Sequence, residues 1–347
     1  MLLMLRVPQA DRTNSSVIHA NNLVWNACDT TSLNYADDQW VGKLVRSGVS
    51  ACLHTVAVDE NPERALKETA IWRRFYQSRP ELMIGLTAED AVKAKASGKI
   101  AMFMHWQGLG PINGDLDLLD AFYDLGLRVL QPTYQYRNVA GDGCGERVQS
   151  GLSRFGVKLV ERCNQLGIAL DVSHVGDITS MEIVELSNAP VMATHVGVRA
   201  INDTVRNKPD DLIQAIARKG GLVGVAGKSG FLKADGLAKG ATLDDYVDHI
   251  AHICELVGAD HAAIGTDVSD ERRYTTAFLH DFHSRFPEVA IIGDSLDASL
   301  MHPEGLKSPG DLANITDALV KRGFKDADIV KIVGGNVERV LSVALNS

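Results

Sequence analysis

Short apolar runs rich in β-branched residues alternate along the chain with longer segments whose apolar residues recur at helical spacing. This alternation is typical of repeated βα units around a parallel sheet. Eight runs have the length and composition of strands: Ser16–Ala20, Val49–Val58, Ile100–His105, Arg128–Pro132, Ile168–His174, Pro190–His195, Gly221–Gly227 and Ala262–Asp267. Eight parallel strands with intervening helices fit a single (β/α)8 barrel, an α/β fold of the TIM type. The alternative is an open doubly wound sheet, which is disfavoured because no GxGxxG motif follows the first run.

Helices are predicted between most of these runs, at Pro62–Gln77, Asp115–Leu125, Arg154–Leu166, Ile178–Leu186, Asp210–Lys219 and Leu243–Val257. The C-terminal segment 311–345 is expected to form two helices that close the barrel. Because the sequence contains no internal repeat, low-complexity tract or linker, we expect one domain over residues 1–347.

Composition excludes several classes of partner. The chain has 347 residues, with 35 Lys and Arg against 44 Asp and Glu, a net charge of −9. This acidic balance, without a basic run, argues against a nucleic acid or an anionic membrane as partner. The apolar stretch before Arg6 is too short for a secretory signal, and no later run is long enough to span a bilayer. The cysteines are odd in number and scattered, which favours reduced thiols and a cytoplasmic location.

Three of the predicted strands end on residue types that bind metals, namely His174, His195 and Asp267. Catalytic groups of barrel enzymes lie at the C-terminal ends of the strands. Neutral imidazoles and a carboxylate are suitable ligands for a zinc-like ion, with other positions open for water. A single His at a strand end is more often a buried hydrogen-bonding residue. Three such ends, on the fifth, sixth and eighth runs, favour a metal-assisted site.

The sequence resembles the membrane (renal) dipeptidases, peptidase family M19 of the amidohydrolase superfamily, from Val17 to Leu341. The resemblance is carried by the segments GLSRFGVKLVERCNQLGIALDVSH (Gly151–His174), APVMATH (Ala189–His195), VRNKPDD (Val205–Asp211), AAIGTD (Ala262–Asp267) and GGNVERVL (Gly334–Leu341). It implies a zinc-dependent hydrolase of dipeptides, with a barrel-to-barrel homodimer as a further expectation.

The resemblance also implies roles for individual residues. His174 and His195 are expected to bind one of two zinc ions, and Asp267 to serve as a metal-site and proton-transfer residue. Arg206 is expected to clamp the substrate carboxylate, since a guanidinium can donate two parallel charge-assisted hydrogen bonds. The alternative for Arg206 is an exposed side chain at a helix start, paired with Asp210 or Asp211.

Other positions depart from the family pattern. The first strand of the family ends in HxD, for which ungapped alignment offers Asn21 and Leu23, and a two-residue slip offers His19 and Asn21. Gln107 stands in place of the glutamate that bridges the two metals, and a neutral amide cannot supply its anionic oxygens. Tyr134 replaces a substrate-facing histidine. We therefore expect at most one zinc ion per chain.

These residues leave two functions open. The first is a dipeptidase-like, metal-dependent hydrolase acting on dipeptides or related small amides with a free carboxylate, in which Asp267 moves the proton. The second is a catalytically degenerate relative that binds a small carboxylate ligand or catalyses another reaction. The segment GVAGKSG (Gly224–Gly230) lacks the GxxxxGK[ST] spacing of a phosphate-binding loop, so no such site is expected there.

Overall fold

Parallel strands form the centre of the protein. The computed structural model describes residues 14–289 and 297–346, so the expectation for the stretch before Arg6 lies outside the described residues. The strands are β1 Trp25–Asp29, β2 Ala51–Ala57, β3 Leu82–Ile84, β4 Ile100–Trp106, β5 Leu127–Leu130, β6 Ala169–Leu170, β7 Met192–Val196, β8 Leu222–Val225 and β9 Ala262–Ile264.

The strands curl into a barrel. One sheet has the order β1-β2-β4-β5-β6, with β3 paired to the start of β4, and a second has the order β7-β8-β9. Between β6 and β7, the Val172 amide donates to the Met192 carbonyl at 2.8 Å. Between β9 and β1, the Asp267 amide donates to the Cys28 carbonyl at 3.0 Å. These two contacts join the sheets at both sides, and the predicted (β/α)8 fold is confirmed.

Helices surround this barrel. They are α1 Asn14–Asn21, α2 Asp38–Arg46, α3 Pro62–Ser78, α4 Glu89–Ala96, α5 Asp117–Asp124, α6 Arg154–Leu166, α7 Asp177–Leu186, α8 Asp210–Arg218, α9 Ser229–Leu232, α10 Gly236–Lys239, α11 Leu243–Val257, α12 Thr276–Arg285, α13 Leu312–Lys321, α14 Asp326–Val330 and α15 Asn336–Ala344. Local signals explain the agreement with the predicted bounds. The Ser153 side chain caps the start of α6, and Gly167, with φ of 72°, ends it in the left-handed conformation.

The C-terminal segment is helical. It contains three helices, α13, α14 and α15, with a π-helix at Lys331–Gly335 between α14 and α15, where the sequence predicted two helices. Val337 and Leu341 of α15 pack in one apolar cluster with Trp25 and Phe103 of the strands. Among the described residues, no helix combines the length and apolarity that a membrane span requires.

The first predicted strand is wrong. Residues Ser16–Ala20 lie in α1, where the His19 ring bonds to Thr316 Oγ1 at 2.7 Å. The first strand is instead β1, whose Trp25 and Asn26 pair with Ala51 and Cys52 of β2. Two polar residues interrupt the apolar pattern of β1, which is why its sequence is a weak strand signal.

Candidate active site

The structure brings His174, His195 and Asp267 together at the C-terminal ends of the strands. His174 follows β6, His195 lies in β7 and Asp267 follows β9. The Nε2 atoms of the two histidines are 2.9 Å apart, and all three side chains are buried. The residues predicted from three strand ends therefore share one site.

A buried carboxylate orients His195. Asp171, at the end of β6, accepts hydrogen bonds from Ser173 Oγ at 2.6 Å and Thr194 Oγ1 at 2.7 Å. Burial by itself would raise the pKa of Asp171, but the nearby His105, whose Nε2 is 3.1 Å away, together with His195 and the Ser173 hydroxyl, holds that pKa below its ordinary value. Because Thr194 gives its only hydroxyl proton to Asp171, its oxygen accepts from His195 Nδ1 at 2.7 Å. The lone pair of His195 is therefore on Nε2.

Arg206 orients the ring of His174 through a hydrogen bond. The guanidinium of Arg206 donates from Nη2 to His174 Nε2 at 3.1 Å, so this nitrogen also bears a lone pair. Burial is the main cause that lowers the pKa of His195 to about 3, and it also lowers the pKa of His174 well below the ordinary value. Both rings are neutral, and the Nε2 lone pair of His174 accepts the hydrogen bond of Arg206 at a position 2.9 Å from Nε2 of His195.

Asp267 sits in a strained position beside a cation. Its φ of 52° is in the left-handed region, which is uncommon for a residue other than glycine. Its Oδ2 atom lies 3.6 Å from Nζ of Lys228. Burial by itself would raise the pKa of Asp267, but the Lys228 ammonium and other nearby positive groups outweigh it and hold that pKa below the ordinary value. The carboxylate is ionised.

The side of the site formed by β1 and β4 carries neutral groups. Cys28 Sγ is 4.0 Å from Asp267 Oδ1, and the Gln107 amide donates to Cys28 Sγ at 3.4 Å and to Thr55 Oγ1 at 2.9 Å. Burial and the charge of Asp267 raise the pKa of Cys28 well above its ordinary value, so it is a thiol. Gln107 thus lies in the site, where its sequence position placed it.

The predicted places of the missing HxD ligands, Asn21 and Leu23, are wrong. Asn21 is the exposed last residue of α1, and Leu23 packs against the apolar cluster that contains α15. The β1 residues beside Asp267 are Asn26, whose Oδ1 accepts from the Thr266 amide at 3.0 Å, and Cys28. An ungapped alignment could not find them, because α1 precedes a strand that starts at Trp25.

Tyr134 and Arg206 both contact His174. The Tyr134 ring stacks on the His174 ring with centroids 4.3 Å apart. Arg206 is fully buried and donates to the carbonyl oxygens of Ser173 and His195 as well as to His174. The alternative of an exposed ion pair at the start of α8 is wrong, since Asp210 pairs instead with His252 at 2.9 Å.

A pocket of about 230 Å³ opens onto these residues. His174, Asp267, Gln107 and Tyr134 lie on its wall, together with two cations, Lys228 and Arg273. Neither cation was predicted from the sequence as a site residue, and neither was Cys28. Lys228 belongs to GVAGKSG, which lacks the spacing of a phosphate loop, but its place shortly after a barrel strand is a signal for a site residue.

The side chains around Asp267 do not fit a second metal ion. Such an ion would meet a protonated thiol and a neutral amide near Oδ1 of Asp267 and the Lys228 ammonium at Oδ2. The two imidazoles could hold a single ion in place of the contact between Arg206 and His174 Nε2. Within residues 14–289 and 297–346, no group of three or more His, Cys, Asp or Glu side chains is arranged to hold a metal.

Comparison with known proteins agrees with the sequence resemblance. The family model described as membrane dipeptidase (peptidase family M19) matches residues 3–289 and 286–346. Dipeptidase 3 of Rattus norvegicus is 27% identical over 98% of this chain and 66% of its own length. Dipeptidase 3 of Homo sapiens is 28% identical over 89% of this chain and 57% of its own length. The chain thus spans less than two thirds of the length of these curated relatives.

Solved structures show the same fold. An amidohydrolase from Pseudomonas aeruginosa superposes with a TM-score of 0.84 at 27% identity, covering 96% of this chain and 100% of that one. A metallo peptidase from Rhodobacter sphaeroides, liganded with a phosphinate mimic of the dipeptide L-Ala-D-Ala, has a TM-score of 0.78 at 21% identity. It covers 93% of this chain and 99% of that one.

Proposed function

Because this chain belongs to the membrane dipeptidase family, peptidase family M19, we propose that it is a dipeptidase-like hydrolase of dipeptides or related small amides with a free carboxylate. The observation that carries the proposal is the convergence of His174, His195 and Asp267 beside one pocket at the C-terminal ends of the strands. The pocket volume of about 230 Å³ is below the ~300–1,000 Å³ typical of pockets for drug-sized ligands, so it suits a small ligand such as a dipeptide.

Asp267 is the proposed proton-transfer group. Its carboxylate is ionised and lies on the pocket wall, so it can accept a proton from an attacking water and return it to the leaving amine. We propose that His174 and His195 hold at most one zinc ion through their Nε2 atoms. Such an ion, when bound, lowers the pKa of water and polarises a carbonyl.

Arg206 is the proposed anchor for the ligand carboxylate. Its Nε atom is buried and has no hydrogen-bond partner among the described residues. A buried donor left unpaired costs about 1–3 kcal/mol, which an acceptor supplied by a ligand would recover. Arg206 is fully buried and is not among the residues that line the pocket, so a ligand carboxylate reaches it only when His174 and Tyr134, which do line the pocket, move aside.

A second candidate is ligand binding without turnover. It is favoured by one specific observation: Cys28 and Gln107, both neutral, stand on the side of Asp267 where the family pattern has anionic ligands. Fold and a partial site do not by themselves establish turnover.

Hydrolysis of a dipeptide panel tests the proposal. The full chain is purified without chelators, and free dipeptides and their C-terminal amides are assayed with and without added Zn²⁺. We expect hydrolysis of the free acids, its loss in Asp267→Asn, and no effect of Asp260→Asn, a control at an exposed aspartate. A full rate in Asp267→Asn would refute the assignment. Binding of free acids without any hydrolysis would establish the second candidate.

A further inference from the structure

Lys228 is a buried cation, and no carboxylate of the described residues lies within hydrogen-bonding distance of its Nζ. Lys228 lies shortly after the end of β8 at Val225, and only 4% of its surface is exposed. Its Nζ donates to the Tyr274 hydroxyl at 3.3 Å and lies 5.1 Å from the centre of that ring. The distance of 3.6 Å to Asp267 Oδ2 is longer than a charge-assisted hydrogen bond, which is about 2.7–2.9 Å. The ammonium therefore keeps donor capacity for a ligand.

The place of Lys228 matches the charge that the site lacks. Lys228 lines the pocket, as do Asp267, Gln107 and His174. Its Nζ lies 3.6 Å from Oδ2 of Asp267, whereas Cys28 lies at the other oxygen, Oδ1. Gln107 supplies a neutral amide near this carboxylate, so Lys228 is a positive charge placed against Asp267 on the pocket wall.

We infer that Lys228 is a ligand-binding residue that supplies, as a fixed ammonium, the positive charge that a second metal ion would otherwise bring beside Asp267. It binds the oxygen of the ligand amide next to Asp267, and most tightly when that oxygen bears negative charge. Binding of this oxygen is consequently independent of a divalent cation. The inference rests on the proposed function for the class of ligand.

A phosphinate analogue of Ala-Ala tests this role, because its tetrahedral anion replaces the amide carbonyl. Affinity is measured by calorimetry on the full chain after removal of metals by a chelator. We expect the wild type to bind under these conditions, Lys228→Met to lose about tenfold or more, and Lys228→Arg to stay within a few-fold. Lys233→Met is the control, since Lys233 is half-exposed and pairs with Asp235 and Asp245.

A second variant keeps the test decisive if Lys228→Met fails to fold. Asp267→Asn removes the carboxylate that competes for the ammonium, so the phosphinate should bind more tightly than to the wild type. Because loss of the Asp267 charge also removes its repulsion of the phosphinate, the same gain is measured in the background of Lys228→Gln, where a smaller gain supports the inference and an equal gain overturns it. Weaker or unchanged binding in Asp267→Asn would overturn the inference.

The remaining outcomes separate the inference from the proposed function. Suppose that the wild type binds the phosphinate only when loaded with zinc, and that zinc-loaded Lys228→Met binds it as tightly as the zinc-loaded wild type. The metal is then the cation that binds the phosphinate, and only the inference fails. If the phosphinate binds in neither state, the proposed class of ligand fails together with the inference.

Discussion

The Nε2 atoms of His174 and His195 lie 2.9 Å apart, and each carries a lone pair. Arg206 donates to the first ring, and Thr194 accepts the Nδ1 proton of the second. Two acceptor nitrogens at this distance repel each other unless a proton or a cation lies between them. An ion shared by the two rings would therefore take the place of the Arg206 contact to His174.

The first prediction concerns metal content. We expect no more than one equivalent of tightly bound transition metal per chain, because the Nε2 atoms of His174 and His195 meet at 2.9 Å while Cys28 and Gln107 offer no anionic ligand near Asp267. Elemental analysis after gel filtration measures the content. His195→Ala should abolish the bound metal, whereas His280→Ala, at an exposed position of α12, should not. Two equivalents in the wild type would contradict the prediction.

The second prediction concerns the missing ligands. Combining Asn26→His, Cys28→Asp and Gln107→Glu should raise metal occupancy above that of the wild type, because these side chains lie around Asp267. The matched control combines Asn21→His and Leu23→Asp with Gln107→Glu. The changes at Asn21 and Leu23 fall outside the site, so this variant should gain little metal occupancy. Equal gains in the two triple variants would show that the register of β1 is misassigned.

The third prediction concerns Arg206. Arg206→Ala should weaken binding of free dipeptides by about 2–5 kcal/mol, the cost of truncating one partner of a buried charge pair. Calorimetry on free acids and C-terminal amides measures the effect, and the amides should bind weakly to the wild type. Arg218→Ala, at the exposed end of α8, is the control. Equal affinity for free acids and amides would show that Arg206 does not anchor a ligand carboxylate.

The fourth prediction concerns acid stability. Burial is the main cause that lowers the pKa of His54 to about 4, and its ring bonds to the Thr31 carbonyl and the Tyr76 hydroxyl. A depressed histidine pKa means that its stabilising effect is complete above the unfolded value of about 6.5 and is lost as the pH falls towards 4. The loss is about 3 kcal/mol in the free energy of unfolding. Urea unfolding at pH 7.5, 5.5 and 4 should show less acid sensitivity in His54→Gln than in wild type or His280→Gln.

The fifth prediction concerns barrel closure. A Cβ on Gly265 would stand 1.6 Å from the Thr194 carbonyl oxygen, which is a backbone atom and cannot move aside cheaply. Gly265→Ala should therefore prevent folding or lower the thermal midpoint strongly. Gly42→Ala, in the middle of α2 with only the Arg46 side chain at 3.4 Å, should stabilise by about 0.5–1 kcal/mol. Circular dichroism melts compare the two variants.

The sequence by itself determined the barrel and the meeting of three site residues. Local periodicity and caps set the bounds of helices such as α6 and α11, which agree with their predicted ranges. In a parallel barrel, every strand end lies at the same rim, so ligand-type residues at three strand ends must come together. His174, His195 and Asp267 could be predicted for this reason.

Only the tertiary structure decided the register of β1 and the role of Lys228. Asn26 and Cys28 reach the site because β1 pairs with β2 on one edge and receives the Asp267 amide on the other. Lys228 becomes the partner of Asp267 through a contact between the ends of β8 and β9. Hydrogen-bond register and charge pairing depend on distances across the barrel, and these distances are absent from any local pattern of the chain.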